Sequence, residues 1–403
     1  MRGQKRKRAL ILLALIAIVG IMCLACGKGK EENAQAVTES ETERDSKTQE
    51  EPETQKESEM QKESETQKES EPQKESEMQK ESETQKEPET QQEPETGSAK
   101  LQVIGTKLCD ASGNPIQLRG ISTHGLSWFP QYVNAALVKE FHDSWNMNVF
   151  RLALYTAEYN GYCTGGNRDD LKNLVKNGVK YASENGMYVI IDWHVLNDDG
   201  NGMHANPNIY KEQAIAFFKE MSALYKDNPY VIYEICNEPN GSTTWADIKA
   251  YANEVIPVIK ANNPDAVIIV GTPTWSQEVD KAVADPISGY SNIMYALHFY
   301  AATHTQWLRD RMTNALNAGL PIFVSEFGIC DASGNGGINY AEAESWVKVM
   351  NENQMSYVMW NLSNKNETSS VIRSGVTKTN GFAEEDLSES GRWLRGILKG
   401  NNP

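Results

Sequence analysis

The chain is 403 residues long and carries 55 acidic against 39 basic side chains, a formal net charge of −16, with 39% hydrophobic residues. That length suits two or three ordinary domains, or one large barrel with an appendage. No basic stripe accompanies the acidic balance, so nucleic acid is not an expected partner, since phosphate binding draws on clustered Lys and Arg.

The amino terminus opens with Arg2, Lys5, Arg6, Lys7 and Arg8, and an apolar run from Ala9 to Ala25 follows. These are the charged and apolar regions of a secretory signal. The run is at the lower limit for a membrane span, which leaves an uncleaved anchor as the alternative. It ends in Cys23-Leu24-Ala25-Cys26-Gly27. This resembles the lipobox of bacterial lipoproteins, which implies that Cys26 is the lipid-attachment residue; the pattern departs at Cys23, where Leu is usual. All these readings place the rest of the chain outside the cytoplasm, in contact with a membrane only through its amino-terminal lipid or signal anchor.

Residues 27 to 99 are expected to form a disordered acidic linker. Between 31 and 97 there are 23 acidic and 8 basic side chains, one Val, and no Leu, Ile, Trp, Tyr or Phe, so no core can form. From Glu53 to Pro94 run seven hexads of the form E-T-Q-K-E-S. A period of six matches neither a heptad nor a helical solenoid, and Pro52, Pro72, Pro88 and Pro94 interrupt any transient helix. The segment reads as a solvated, self-repelling spacer or as a passive low-complexity expansion.

Every Trp, Tyr and Phe lies beyond residue 97, which leaves one folded unit over 100–400. There, apolar β-rich runs alternate with amphipathic stretches, the signal of βα units on a parallel sheet. Strands are predicted at Gln117–Ser122, Asn148–Leu154, Met187–Asp192, Val231–Cys236, Ala266–Val270, Met294–His298, Ile322–Ser325 and Tyr357–Asn361. Helices are predicted at Asn134–Trp145, Asp169–Glu184, Ile209–Tyr225, Trp245–Ala261, Thr305–Asn317 and Ala341–Asn353, with little helical pattern between Thr272 and Ser291. Eight strands close a barrel, so the expected fold is an α/β (β/α)8 TIM barrel.

At or near the carboxyl ends of these strands, where barrel enzymes carry their chemistry, stand His124, Arg151, His194, Asn237 with Glu238, Trp275, His298 with Tyr300, Glu326 and Trp360. The segment Arg119 to His124 is not the Gly-rich phosphate loop of a doubly wound sheet. Glu238 and Glu326 each adjoin an apolar strand, a costly place for a carboxylate that is neither paired nor working. On the fourth and seventh strands they face across one mouth, the pair that glycoside hydrolysis requires.

Seven motifs in order resemble glycoside hydrolase family five, most nearly its bacterial endo-1,4-β-glucanases. They are Ser122-Thr123-His124-Gly125-Leu126-Ser127-Trp128, Arg151-Leu152-Ala153-Leu154-Tyr155, Ile191-Asp192-Trp193-His194, Asn237-Glu238-Pro239, His298-Phe299-Tyr300, Ser325-Glu326-Phe327-Gly328 and Trp360-Asn361-Leu362-Ser363-Asn364-Lys365. The resemblance implies that Glu238 is the acid/base and Glu326 the nucleophile of a retaining endo-1,4-β-glucanase acting on cellulose and related β-glucans by double displacement. The carboxyl groups should then lie about 5 to 5.5 Å apart rather than the roughly 6.5 to 9.5 Å of an inverting enzyme. Arg151 and the Tyr300 hydroxyl could hold the charge on Glu326, and partial burial beside a second carboxylate favours a protonated Glu238.

The same resemblance implies that Asn237 bonds the sugar 2-hydroxyl, that His298 touches the acid/base and that His194 and His124 line the catalytic subsite. It implies further that Trp360 is the stacking platform there, with Trp128 a platform further along, Lys365 and Glu367 reaching the next sugar, and Tyr155 contributing. Trp275 and Trp307 follow strands and could serve leaving-group subsites; Trp145, Trp193, Trp245, Trp346 and Trp393 read as packing residues. His142 reads as helix surface, and His204 and His304 as loop residues. The histidines lack metal-ligand spacing and Cys109, Cys163, Cys236 and Cys330 form no C-x-x-C pair, so neither a metal nor a cofactor is expected. Cys109, Cys163, Cys236 and Cys330 read as small buried hydrophobes in preference to two disulfides. The expected partner is a β-glucan, handled by a monomer. Cleavage of mannan, xyloglucan or xylan is the alternative within the family. A carbohydrate-binding lipoprotein without activity is the alternative outside it, against which the two intact carboxylates argue.

Overall fold

The computed structural model describes residues 99–197 and 205–400; the expected export signal with Cys26, the hexad spacer and His204 lie outside the described residues. Among the described residues no helix is long and apolar enough to cross a membrane.

A short antiparallel hairpin of β1 (Gln102–Ile104) and β2 (Lys107–Cys109) comes first. Eight parallel strands follow: β3 (Arg119–Thr123), β4 (Val149–Tyr155), β5 (Tyr188–His194), β6 (Val231–Glu234), β7 (Val267–Val270), β8 (Ile293–Tyr300), β9 (Ile322–Gly328) and β10 (Tyr357–Leu362). Each pairs with the next, and β10 returns to β3 to close the barrel. All eight lie within three residues of their predicted ends. The six predicted helices are present, most with an Asn, Thr or Ser at the N-cap; Thr244 and Asp247 form a capping box. Beyond these, two helices of six or more residues among the described residues, Val279–Ala284 and Glu389–Leu398, were not predicted. The first is a little over one turn long, too short to show a helical period. The second sets Trp393 against Phe327 of β9, with ring centroids 6.2 Å apart.

Alternation along the strands sorts the residues into two cores. Val149, Ile190, Ile232, Ile269, Met294, Phe323 and Val358 point inward and form one apolar cluster with Leu101 and Leu108. The amino-terminal segment and hairpin thus seal one end of the barrel. The opposite parity, including Phe150, Val189, Trp193, Tyr233 and Val324, packs outward against helix residues such as Val175, Phe217, Ile248 and Trp346. Burial on both faces explains why these strands read as continuous apolar runs. None of Cys109, Cys163, Cys236 and Cys330 forms a disulfide; Cys163 is half-buried and the other three are buried.

β9 departs from simple alternation. Ala296 pairs with Phe323 but His298 pairs with Glu326, so β9 carries one extra residue between these pairs. Such a bulge lets consecutive side chains turn the same way. Phe323 points into the barrel floor and Phe327 into the outer core, while both Ser325 and Glu326 reach inward.

The barrel floor leaves no space at Gly120, where a Cβ would lie 1.9 Å from the Val149 carbonyl oxygen. A backbone atom cannot yield as a side-chain tip can. Gly120→Ala is therefore expected to destabilise the domain by about 3 kcal/mol, read as a lower denaturant midpoint with an unchanged slope; an unaltered midpoint would contradict this packing.

Candidate active site

Above the apolar floor, the next inward positions are polar. Ser122, Arg151, Asp192, Glu234, Ser325 and Glu326 meet at this level, all buried. Arg151 is at the centre. Its Nε donates to Glu234 Oε2 at 2.7 Å, Nη1 to Glu326 Oε2 at 3.2 Å and to Ser122 Oγ at 3.2 Å, and Nη2 to Asn237 Oδ1 at 2.6 Å, with Asp192 Oδ2 at 3.0 Å. Burial alone would depress the guanidinium, but Asp192, Glu234 and Glu326 together hold its pKa above the usual value. In return, although burial acts upward on Glu234, the Arg151 charge leads the effects that bring its carboxyl down to about 2.

Two hydrogen-bonded lines run from this layer to the mouth. In the first, Asn237 Oδ1 is taken by Arg151, so its Nδ2 faces His194 Nε2 at 3.2 Å. That nitrogen must accept, which places the ring proton on Nδ1, donated to Asp192 Oδ2 at 2.6 Å. Burial and then the Arg151 charge hold His194 well below the usual imidazole range, so it is neutral. Asp192 Oδ1 is buried without a hydrogen-bond partner. In the second, Ser325 Oγ donates to Glu234 Oε1 at 2.6 Å and accepts from His298 Nε2 at 2.9 Å, while His298 Nδ1 donates to Glu238 Oε1 at 2.9 Å. Burial acts against a charged His298, but Glu234 and Glu238 outweigh it and raise the imidazole to about 9.

Glu238 and Glu326 each offer a carboxylate oxygen within 4.8 Å of the other and of a His298 nitrogen. Such a triad has the dimensions of a cation site, but an imidazolium that donates from both nitrogens has no lone pair for a metal. Glu326 is pushed up to about 7, first by burial and then by the Glu238 charge, against the pull of His298, Arg151 and the Tyr300 hydroxyl. The Tyr300 hydroxyl donates to Glu326 Oε1 at 2.9 Å.

These groups open into a cavity of about 520 Å³. Of the residues expected at the site, Glu238, Glu326, His124, Tyr155, His194, His298, Tyr300, Trp360, Lys365 and Glu367 line it. Trp360 stacks on His194 at 5.2 Å, and its peptide bond to Asn361 is cis. Lys365 pairs with Glu367 at 2.6 Å. Arg151 and Asn237 lie beneath the lining, and Trp128 lies on the rim beyond His124, at 6.2 Å. Gly125 brings this rim together: a Cβ there would meet the Tyr155 and Trp128 rings at 2.7 and 2.8 Å.

Trp275 lines the cavity from a backbone kink in which Thr274, Trp275 and Ser276 all have positive φ, whereas exposed Trp307 does not line it. His304, expected as a loop residue, is buried in the cavity wall, where its Nδ1 accepts from the Tyr300 amide at 2.8 Å. The expectations passed over Asp192, Glu234 and Ser325 as functional residues. The signal available for the first two was a charge inside an apolar strand at the same parity as Arg151.

The sequence profile of the family described as Cellulase (glycosyl hydrolase family 5) matches residues 109–366. Endoglucanase A of Butyrivibrio fibrisolvens is 51% identical over 298 residues, 73% of this chain and 67% of that protein. An endoglucanase of Clostridium saccharobutylicum is 49% identical over 304 residues, 75% of this chain and 66% of that protein. The chain thus spans about two thirds of the length of these relatives. The catalytic domain of the Thermobifida fusca endoglucanase Cel5A (E5) superposes with a TM-score of 0.70 at 36% identity, covering 75% of this chain and 98% of that domain; a variant of it has been solved with cellotetraose. With a closed eightfold barrel, two carboxylates at its mouth and these relatives, the chain belongs to glycosyl hydrolase family 5, the cellulase family, and is a glycoside hydrolase.

Proposed function

We propose that the protein is an endo-1,4-β-glucanase that cleaves internal bonds of cellulose and related β-glucans with retention of configuration. The observation that carries this reading is the pairing of Glu238 and Glu326 across the barrel mouth, with their nearest oxygens within 4.8 Å, a close approach compatible with the roughly 5 to 5.5 Å between the carboxyl groups of a retaining enzyme. Glu238 donates its proton to the glycosidic oxygen as Glu326 attacks the anomeric carbon, so that the C–O bond to the leaving sugar breaks and a glycosyl ester forms. Water then attacks the same carbon, gives its proton to Glu238 and releases Glu326. Arg151 and Tyr300 stabilise the carboxylate before attack and after release. His298 steadies Glu238 in both protonation states, with its own proton held by Glu234 through Ser325. The aromatic walls of Trp360, Tyr155 and His194 suit the C–H faces of sugar rings, and Lys365 with Glu367 suit the hydroxyls. An open cleft flanked by Trp128 and Trp275 accommodates a chain passing through, as endo attack requires.

For the chain as a whole, we read residues 1–26 as a lipid-attached export signal and 27–99 as the spacer that carries the 100–400 barrel away from a membrane. The basic start, the apolar run to Cys26 and the hexads support this arrangement.

Glu326→Ala and Glu238→Ala are each expected to reduce turnover on carboxymethylcellulose by at least about 100-fold while binding persists, and the native enzyme should release reducing sugar from cellulose in preference to mannan. Normal turnover in either variant would sink the assignment of roles, and a preference for mannan the choice of substrate.

The pH profile of kcat/KM tests the electrostatics. Glu326 must be ionised, so activity rises with pH as it loses its proton; its value of about 7 includes the Glu238 charge, and with Glu238 protonated this limb lies below it. Tyr300→Phe removes a donor that favours the charge and should move this acid limb to higher pH by about half a unit to one unit. His298 must stay charged, so activity falls as pH rises through about 9. Ser325→Ala cuts its link to Glu234 and should move the alkaline limb to lower pH. Limbs that stay in place would show that neither donor tunes the site.

A further inference from the structure

We propose that Tyr159 forms an additional sugar-binding position beyond Trp128, one that takes a further β-linked glucosyl unit of a long chain. This position rests on the endoglucanase reading above and deepens it.

The aromatic surface does not end at the cavity. From Trp360 the rings continue to His124 at 5.3 Å, from His124 to Trp128 at 6.2 Å, and from Trp128 to Tyr159 at 4.8 Å. Trp128 is 42% exposed and Tyr159 56%. Two neighbouring large rings left in water add little to the core, and an exposed apolar patch continuous with a binding cleft marks a surface that meets a ligand. The two ring planes are tilted by 47°, so one sugar cannot lie flat on both. The tilt makes Tyr159 a separate position, reached by a chain that turns as it leaves Trp128.

The loop is built to hold the ring there. Glu158 and Asn160, on either side of Tyr159, both adopt left-handed backbone with φ of 60° and 49°. Non-glycine residues in this region are strained, and such strain persists where the surroundings impose it, commonly at binding sites. Here the Ser127 hydroxyl donates to the Tyr159 carbonyl at 2.8 Å, and the Thr164 hydroxyl donates to the Glu158 carbonyl at 3.2 Å. Gly161 packs so closely that a Cβ would sit 2.0 Å from the Ala157 carbonyl oxygen. The backbone is thus fixed while the ring faces solvent, and a rigid aromatic loses little freedom on binding. Glu158 and Asn160, both exposed, flank it with polar groups able to bond sugar hydroxyls. The Lys365 charge in the cleft acts on the Glu158 carboxyl, which ties this loop electrostatically to the cleft.

A β-glucan chain fits this surface better than a protein partner, because the patch is narrow, continuous with the cleft and edged with polar groups. Cello-oligosaccharides of increasing length are the direct probe. In the full chain, the ratio of kcat/KM for cellohexaose to that for cellotriose is expected to fall about 3- to 10-fold in Tyr159→Ala, the value of one stacking contact, with the change in KM rather than kcat. Tyr159→Leu, which keeps bulk without a flat face, should fall equally, and Tyr159→Phe should keep the wild-type ratio. A wild-type ratio in both Tyr159→Ala and Tyr159→Leu overturns the proposal while leaving the endoglucanase reading intact, and so does a Tyr159→Ala loss that disappears on a Trp128→Ala background, which would show Tyr159 merely propping Trp128. A native enzyme that cleaves no cello-oligosaccharide overturns both.

Discussion

The structure depends on one buried cation. Arg151 has no exposed surface, yet its guanidinium meets Asp192, Glu234 and Glu326 within 3.2 Å and also holds Asn237 and Ser122. The interior does not solvate three carboxylates at this depth, and the guanidinium favours the ionised form of each, although burial still holds Asp192 well above the usual carboxylate range. The converse holds too, since a guanidinium cannot shed its proton and must be matched by anions where it is buried. The layer also joins β3, β4, β5, β6 and β9 through side chains, so the ends of five strands are positioned by the same charges that serve the chemistry.

Beyond Arg151 the site is graded from dry to wet. Apolar residues and the amino-terminal hairpin seal the floor, the charged layer lies above it, and the two carboxylates stand where the cavity opens. Partners rather than depth explain why Glu326 titrates high and Glu234 low, although both are buried and both touch Arg151. Glu234 gains the guanidinium Nε, the Ser325 hydroxyl and the nearby imidazolium, whereas Glu326 faces a second carboxylate and has a longer contact to Arg151. The imidazolium of His298 lies between the two groups of anions and passes the effect of the buried one to the working one.

Much of this was legible beforehand. The eight apolar runs, their spacing and the reactive residues at their ends pointed to the barrel and to Glu238 and Glu326, because strand burial and site placement both follow from closing a parallel sheet. Arg151 stood out as a charge in an apolar strand. Asp192 and Glu234 carried the same mark, but nothing along the chain says that three strands bring these residues to one point. Ser325 was hidden for another reason. Strict alternation would send either Ser325 or Glu326 outward, and only the extra residue in β9 lets both face in, a register that is set by the neighbours β8 and β10. Asn237, expected against the sugar 2-hydroxyl, is held by Arg151 and faces His194, contacts that no pattern along the chain foretells.

One six-residue stretch separates the two levels of control. Cys-Asp-Ala-Ser-Gly-Asn occurs at 109–114 and again at 330–335, and both copies fold alike. Asp110 and Asp331 each accept from the amide two residues on, at 2.9 Å, and Gly113 and Gly334 each take positive φ, at 85° and 76°. That turn is decided by the sequence alone, since a short Asp side chain and a glycine reach only their own neighbours. The first copy follows β2 of the hairpin that plugs the barrel floor, while the second brings Ser333 and Gly334 into the cavity wall. Which copy meets the cleft is decided by barrel closure, because contacts between residues far apart in the chain, and no local preference, set where a turn comes to lie.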